Sequence, residues 1–200
     1  MTFNPTIEIL IVGNRYRPPL IQPHVEHLPY KLFTQDFDPP PGWKPAQQNE
    51  GYTHNHKNGY RAFRGHQEAW KNLSKPIGLA LEDDAVPNRP DWWEVVNYAV
   101  NHWLPNVELV ALHGRQHRAD LFEKIVYPKL NVGVWWPKVK DFWMVGSLAY
   151  LMKRETAQRL IDFQLDGVPI DIFLFKNFSL VLVEPSPFTH DMRFKSLIDV

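Results

Sequence analysis

The amino-acid sequence predicts an α/β protein, and three observations carry that expectation. Apolar runs of strand length alternate with segments of helical period along the chain. One of these runs, Ile77-Gly78-Leu79-Ala80-Leu81, has no polar face, the pattern of a strand covered on both sides. It stops on three consecutive carboxylates, Glu82, Asp83 and Asp84, and open α/β sheets collect their ligands at the carboxyl ends of strands.

The chain has 200 residues, of which 44% are hydrophobic, enough for one substantial core and a single domain over residues 1–200. Lysine plus arginine and aspartate plus glutamate each number 22, so the formal charge is zero and there is no global basic field to collect nucleic acid. Cysteine is absent, which excludes disulfides, thiolate metal sites and cysteine nucleophiles and fits a reducing compartment. The first residues lack the basic and apolar regions of a secretory signal, and no apolar run is long enough to cross a bilayer. The expectation is a soluble, cytoplasmic protein.

Thr6 to Val12 reads as the first strand, followed by a loop that carries Arg15 and Arg17. Those arginines could meet phosphate or a base, or stand solvated. Leu28 to Phe33 is a second, less regular strand. Gln35 to Asn58, rich in proline and glycine, has no period and reads as a long loop. His54 and His56 within it have alternate spacing, but a pair without a third ligand is a weak metal site. Gly59 to Leu73 is helical, with Phe63, His66, Trp70 and Leu73 on one face, so His66 points inward, placed to brace the end of the acidic strand.

Adjacent carboxylates repel, and a divalent cation is the simplest compensation at Glu82-Asp83-Asp84. In an extended chain Glu82 and Asp84 face one way and Asp83 the other. The alternative is that the aspartates only open the following turn. Arg89 to Trp103 is a helix with Trp92, Val96, Ala99 and Trp103 on its apolar side, and Val107 to Leu112 is another buried strand. The polar stretch His113 to Arg118 after it is either a phosphate contact or a solvated loop. Asn131 to Trp143 mixes Trp135, Trp136 and Trp143 with Lys138 and Lys140, which suits either an acceptor platform or a hairpin packed on the sheet. Gly146 to Met152 is a strand, Arg154 to Phe163 an amphipathic helix, and Pro169 to Phe175 a short helix in which Asp171 is the one acid among apolar residues. A final strand, Phe178 to Val183, leads to a proline-rich exit containing His190.

Four of these segments, in this order, resemble glycosyltransferase family 25, the lipopolysaccharide-biosynthesis and collagen-galactosyltransferase group. Its members carry a Gly-Cys-x-x-Ser-His segment with a downstream Trp, an acidic Glu-Asp-Asp strand end, a Gly-Thr-x-x-Tyr strand and a Val-Asp helix. Here the counterparts are Gly65-His66 with Trp70, Glu82-Asp83-Asp84, Gly146 to Tyr150, and Ile170-Asp171. The likeness spans about Tyr60 to Phe173. Arg61 and Ala62 stand where the family has Gly and Cys, Gly65 replaces its Ser, and Ser147 replaces its Thr.

The resemblance implies a GT-A-like, Rossmann-related fold with a mixed, mostly parallel sheet flanked by helices. It implies an inverting transfer of a hexose from a nucleotide-sugar, typically a UDP-sugar, with Mn²⁺ or Mg²⁺. Asp84 would ligate the metal, and His190 would complete its shell as the histidine nearest the carboxyl end. Glu82, Asp83, His66, Arg61 and Arg15 would line the donor site, and Asp171 would act as base, in line with its apolar neighbours. The acceptor implied is a bacterial glycan or lipid-linked saccharide, met by Trp135, Trp136, Lys138 and Trp143; a hydroxymethylated base of phage DNA, in the host cytoplasm, is the alternative. Two other classes stay open: a metal-dependent phosphoesterase or nuclease, and a carbohydrate-binding domain without catalysis.

Overall fold

The computed structural model describes residues 4–13, 18–34, 38–42, 56–114, 122–127, 130, 132–137, 148–163 and 170–191. In chain order its elements are β1 (Ile7–Gly13), α1 (Gln22–Val25), β2 (Tyr30–Thr34), α2 (His56–Lys71), β3 (Ile77–Glu82), β4 (Ala85–Pro87), α3 (Trp92–Asn101) and β5 (Leu109–Ala111). They continue with β6 (Phe122–Tyr127), β7 (Val132–Pro137), β8 (Ala149–Lys153), α4 (Arg154–Leu160), α5 (Ile170–Asn177), β9 (Leu180–Glu184) and β10 (Phe188–His190).

The main sheet has the spatial order β2-β1-β3-β8-β5-β9-β7-β6, and β4 pairs separately with β10. β1 lies parallel to β2 and β3, and β5 parallel to β9, while β8 runs antiparallel between β3 and β5. β7 is antiparallel to both β9 and β6. Thus β2, β1, β3, β5, β9 and β6 share one direction, and only β8 and β7 oppose it. This is the mixed, mostly parallel sheet flanked by helices that was expected.

Side-chain alternation divides the core in two. Ile7, Ile9 and Ile11 of β1 and Leu79 and Leu81 of β3 pack against α1 and α3, which contribute Val25, Trp92, Trp93 and Val96. The intervening Leu10, Val12 and Ala80 pack under α2, α4 and α5 with Phe63, Trp70, Leu160 and Phe173. On that second face β3 offers only Gly78 and Ala80, and the space is taken by a neighbour: a Cβ at Gly78 would stand 3.2 Å from a Leu73 methyl. The small residues let α2 lie close over β3, which sets the depth at which His66 enters.

Several boundaries differ from expectation for local reasons. α2 begins at His56, inside the stretch read as loop. The helix expected from Arg89 begins at Trp92, because the Arg89 guanidinium holds the Asp91 carboxylate at 2.5 and 2.8 Å and the Leu130 carbonyl at 3.0 Å. Asp91 stands at the N-cap without a capping bond, since Arg89 occupies its oxygens and also keeps its pKa below the ordinary range. The proline-rich exit is not an exit, because Phe188–His190 turns back as β10.

At the amino-terminal edge of the sheet the buried Glu8 joins three segments. It accepts bonds from Lys31 Nζ at 2.8 Å, Ser74 N at 2.6 Å and Ser74 Oγ at 2.9 Å. Burial alone would raise its pKa, but the lysine and the serine outweigh that and hold the carboxyl below its ordinary 4.5. A depressed folded-state pKa contributes stability above the unfolded value and loses it as pH falls through the folded one. Glu8→Gln should therefore cost about 1–3 kcal/mol near neutrality, and the gap from the unmodified protein should narrow below about pH 4.5. Urea denaturation of both proteins at about pH 7 and about pH 3 measures it; equal gaps at the two values would contradict the assignment.

Candidate functional site

Glu82 is the last residue of β3, and Asp83 and Asp84 make the turn into β4. The alternation expected of the three acids is present: the Glu82 and Asp84 side chains retain 20% and 16% exposure, whereas Asp83 is 4% exposed. Asp83 is walled in by the exit of β1. Its carbonyl accepts the Leu20 N–H at 2.6 Å, and a Cβ at Gly13 would stand only 3.2 Å from its own Cβ. A glycine is required at position 13 for this close approach. Asp83 thus serves the turn from within, and Glu82 and Asp84 face outward.

The chain returns to this turn from the far end of the sequence. β10 runs antiparallel to β4 with His190 opposite Ala85, and the Asp191 N–H donates to the Asp84 carbonyl at 3.2 Å. His190 Nδ1 then stands 3.5 Å from Asp84 Oδ2, with the imidazole 44% exposed. His113, just past β5, meets His190 edge to face at 4.9 Å, and its Nδ1–H donates to the Phe188 carbonyl at 3.1 Å. His113 was not singled out as a site residue; its position directly after a buried strand was the available signal. The rest of that polar stretch, 115–118, lies outside the described residues.

A carboxylate oxygen and an imidazole nitrogen at this spacing fit two positions of a six-coordinate Mn²⁺ or Mg²⁺ shell, with the other positions left to phosphate oxygens and water. Among the described residues no group of three or more His, Asp or Glu side chains could hold a metal by itself. The pair therefore suits an ion shared with a ligand better than an ion caged by protein.

Behind the turn lies a buried polar chain. His66 is fully buried on α2, with Nδ1 2.8 Å from Tyr150 Oη and Nε2 3.3 Å from Glu82 Oε1. Trp70, one turn further along α2, donates Nε1–H to the same Tyr150 oxygen at 2.9 Å. Burial pushes the Tyr150 phenol far above its ordinary pKa, and the nearby Glu82 charge pushes the same way against the opposing Trp70 bond. Tyr150 is thus a protonated phenol at every physiological pH. His66 does brace the acidic strand, as its inward position in the helical period led one to expect.

The remaining candidates are dispersed. Arg61, on α2, forms an ion pair with Asp38 at 2.5 Å. Asp171 stands half-buried in the first turn of α5. α5 leads within three residues into β9, and Phe173, two residues past Asp171, packs against Phe63 of α2 at 5.0 Å. Trp135 and Trp136 lie on β7 in register with Lys124 and Glu123, so their stretch is one arm of a hairpin joined to the sheet. Arg15, Lys138 and Trp143 lie outside the described residues, as does His54.

No protein-family model and no curated protein matches the chain. The family 25 resemblance accordingly rests on the order of its four segments. Solved structures do match. A protein from STIV is 13% identical, with a TM-score of 0.45, over 94% of this chain and 86% of its own. A glycosyltransferase involved in the glycosylation of the major capsid of PBCV-1 is 13% identical, with a TM-score of 0.42, over 78% of this chain and 63% of its own. A mannose-1-phosphate geranyltransferase from Thermus thermophilus is 14% identical, also at 0.42, over 91% and 60%. The chain thus spans about three fifths of the length of the last two. At such scores the likenesses decide neither activity nor substrate.

The buried chain makes a stability prediction. Tyr150→Phe removes the oxygen that serves both Trp70 and His66, and should cost about 1–3 kcal/mol in urea denaturation. A loss of under about 0.5 kcal/mol would show that the hydroxyl bonds are not needed.

Proposed function

We propose that the chain is a metal-dependent glycosyltransferase that moves a hexose from a nucleotide-sugar, a UDP-sugar in the first instance, to an acceptor hydroxyl with inversion. The observation that carries this reading is the meeting of Asp84 and His190 past the carboxyl end of β3, two partly exposed side chains from segments far apart in sequence. The motif order around them supports it.

Asp84 and His190 would hold Mn²⁺ or Mg²⁺, which when bound offsets the negative charge that builds on a departing diphosphate. Glu82, whose side chain keeps 20% exposure, would bind the nucleotide through hydroxyls, and Asp83 would keep the turn in shape from inside. In an inverting transfer the acceptor oxygen forms a bond to the anomeric carbon as the bond from that carbon to the diphosphate oxygen breaks. The acceptor's proton must leave on the face opposite the diphosphate. Asp171 is the carboxylate assigned to take it, since the resemblance places the base there and the residue, in the first turn of α5, is half-buried. A bacterial glycan or lipid-linked saccharide is the acceptor class this reading favours, with the hairpin that carries Trp135 and Trp136 as the acceptor side.

Two measurements check the reading. Thermal unfolding should shift upward only when UDP and Mn²⁺ are added together; a shift with metal alone would point to a hydrolase, and no shift to a binding module. Asp84→Asn should keep the fold and lose turnover of the cognate UDP-sugar by on the order of 100-fold. Turnover at the unmodified rate would remove Asp84 from the metal site.

A further inference from the structure

The Asp84–His190 pair is assembled by a ribbon that stands apart from the main sheet. β4 and β10 have three residues each and form a two-stranded sheet of their own. A ribbon of that size is marginal by itself, so its place must be held from outside. Part of the hold is apolar: the Phe188 ring is fully buried and meets Trp92 edge to face at 5.3 Å. The polar part comes from His113 and Gly114, just past β5. His113 Nδ1 stands 3.1 Å from the Phe188 carbonyl, and Ser186 Oγ donates to the Gly114 carbonyl at 3.0 Å. A carbonyl can only accept, so the His113 ring carries a proton on Nδ1. The Asn88 N–H, which donates to the Pro187 carbonyl at 2.8 Å, closes the ribbon on itself and leaves its attachment to the main sheet to these two residues and Phe188.

His113 acts on His190 in two ways. Phe188 and His190 are alternate residues of one strand, so the bond to the Phe188 carbonyl fixes the backbone from which His190 projects. The two imidazoles also meet edge to face, with centroids 4.9 Å apart and planes at 90°, which restricts the rotamers open to His190. With 44% of the His190 side chain exposed, core packing alone does not fix its Nδ1 at 3.5 Å from Asp84 Oδ2. We propose that His113 is a positioning residue that sets His190 against Asp84 and so determines how tightly the pair takes a divalent cation. This rests on the metal-site reading above and adds a residue from a third segment, one outside the four that carry the family resemblance. Among the described residues no group of three or more His, Asp or Glu side chains could hold the ion, so a misplaced imidazole has no protein ligand to make up for it.

The test is the Mn²⁺ dissociation constant of the full chain in the presence of UDP, read by titration calorimetry beside the urea midpoint of each variant. Association of Mn²⁺ with UDP is measured in buffer and subtracted. His113→Ala should weaken Mn²⁺ binding by about tenfold or more, the usual scale for losing a group that orients a metal ligand. His113→Asn, whose amide nitrogen can take the place of Nδ1 and donate to Phe188, should recover affinity to within about threefold of the unmodified protein. His113→Phe keeps a ring against His190 but lacks the donor, and should stay weak by about fivefold or more. The Asn and Phe variants carry the comparison if the Ala variant does not fold. A purely structural role would lower the urea midpoint and leave the Mn²⁺ constant of the folded protein unchanged; that result overturns the proposal, as does an Asn variant no tighter than the Phe or Ala variant. Asp84→Asn and His190→Ala separate the two readings. If they weaken Mn²⁺ binding while the folded His113 variants do not, the metal pair stands and His113 has no part in it. If the unmodified protein binds no Mn²⁺, or those two variants bind it unchanged, the metal-site reading fails and the proposal falls with it.

Discussion

Three carboxylates in a row can end a buried strand only if the backbone separates them, and that separation is the constraint on which the surrounding structure depends. Glu82 ends the extended strand and Asp83 and Asp84 form the turn after it, which holds Asp83 inward at 4% exposure while the Glu82 and Asp84 side chains keep 20% and 16%. The inward acid requires the first strand to end in a residue without a side chain, and Gly13 meets that need. The outward acids require neighbours that tolerate or welcome negative charge, and these come from α2, β8 and β10. Residues 13, 66, 150 and 190 are far apart in sequence, yet each has its position dictated by the same three-residue turn.

Much of this was legible in the sequence because it is periodic. The two-residue period separates Glu82 and Asp84 from Asp83, and the helical period puts His66 inward with Phe63 and Trp70. Both are properties of a continuous segment and survive without knowledge of partners. What was not legible depends on pairing between distant short pieces. β4 and β10 have three residues each, too few to show a period, and the two prolines just before β10 disguise it as an exit. His190 could be named from the sequence as the late histidine the resemblance calls for, but its contact with Asp84 follows from strand register that no local pattern reveals. His113 was read only as part of a polar stretch that could contact phosphate, and it is the return of β10 that places an imidazole beside it. The start of α3 was legible within Arg89-Pro90-Asp91, and Asp91 does stand at its N-cap, but that it makes no capping bond depends on a guanidinium that takes its carboxylate.

The two edges of the sheet treat their acids in opposite ways, and the contrast separates structure from function. At the starts of parallel strands, Glu8 meets Lys31 and Ser74, and Glu108 meets Arg159 and the Ser179 N–H. For both acids burial works to raise the pKa, and permanent cations with backbone or hydroxyl donors overcome it. At such sites the protein itself supplies the compensating charge. At the strand ends Glu82 meets His66, and Asp84 meets His190. An imidazole can give a proton, bind a metal or orient a partner without fixing a full positive charge on the acid beside it.

The same logic explains why the polar chain under Glu82 begins at a tryptophan. A buried hydroxyl between two ambivalent groups can switch direction, and its end group would then alternate between receiving and offering a proton. With Trp70 at the head, Tyr150 has one arrangement and His66 one tautomer. The cost is that any break leaves a buried donor or acceptor without a partner, which is why such chains are kept only where a defined orientation is worth that vulnerability. Here the orientation is delivered to the partly exposed carboxylate beside Asp84. The Glu8 and Glu108 clusters need no such device, because a charge already neutralised has no direction to keep.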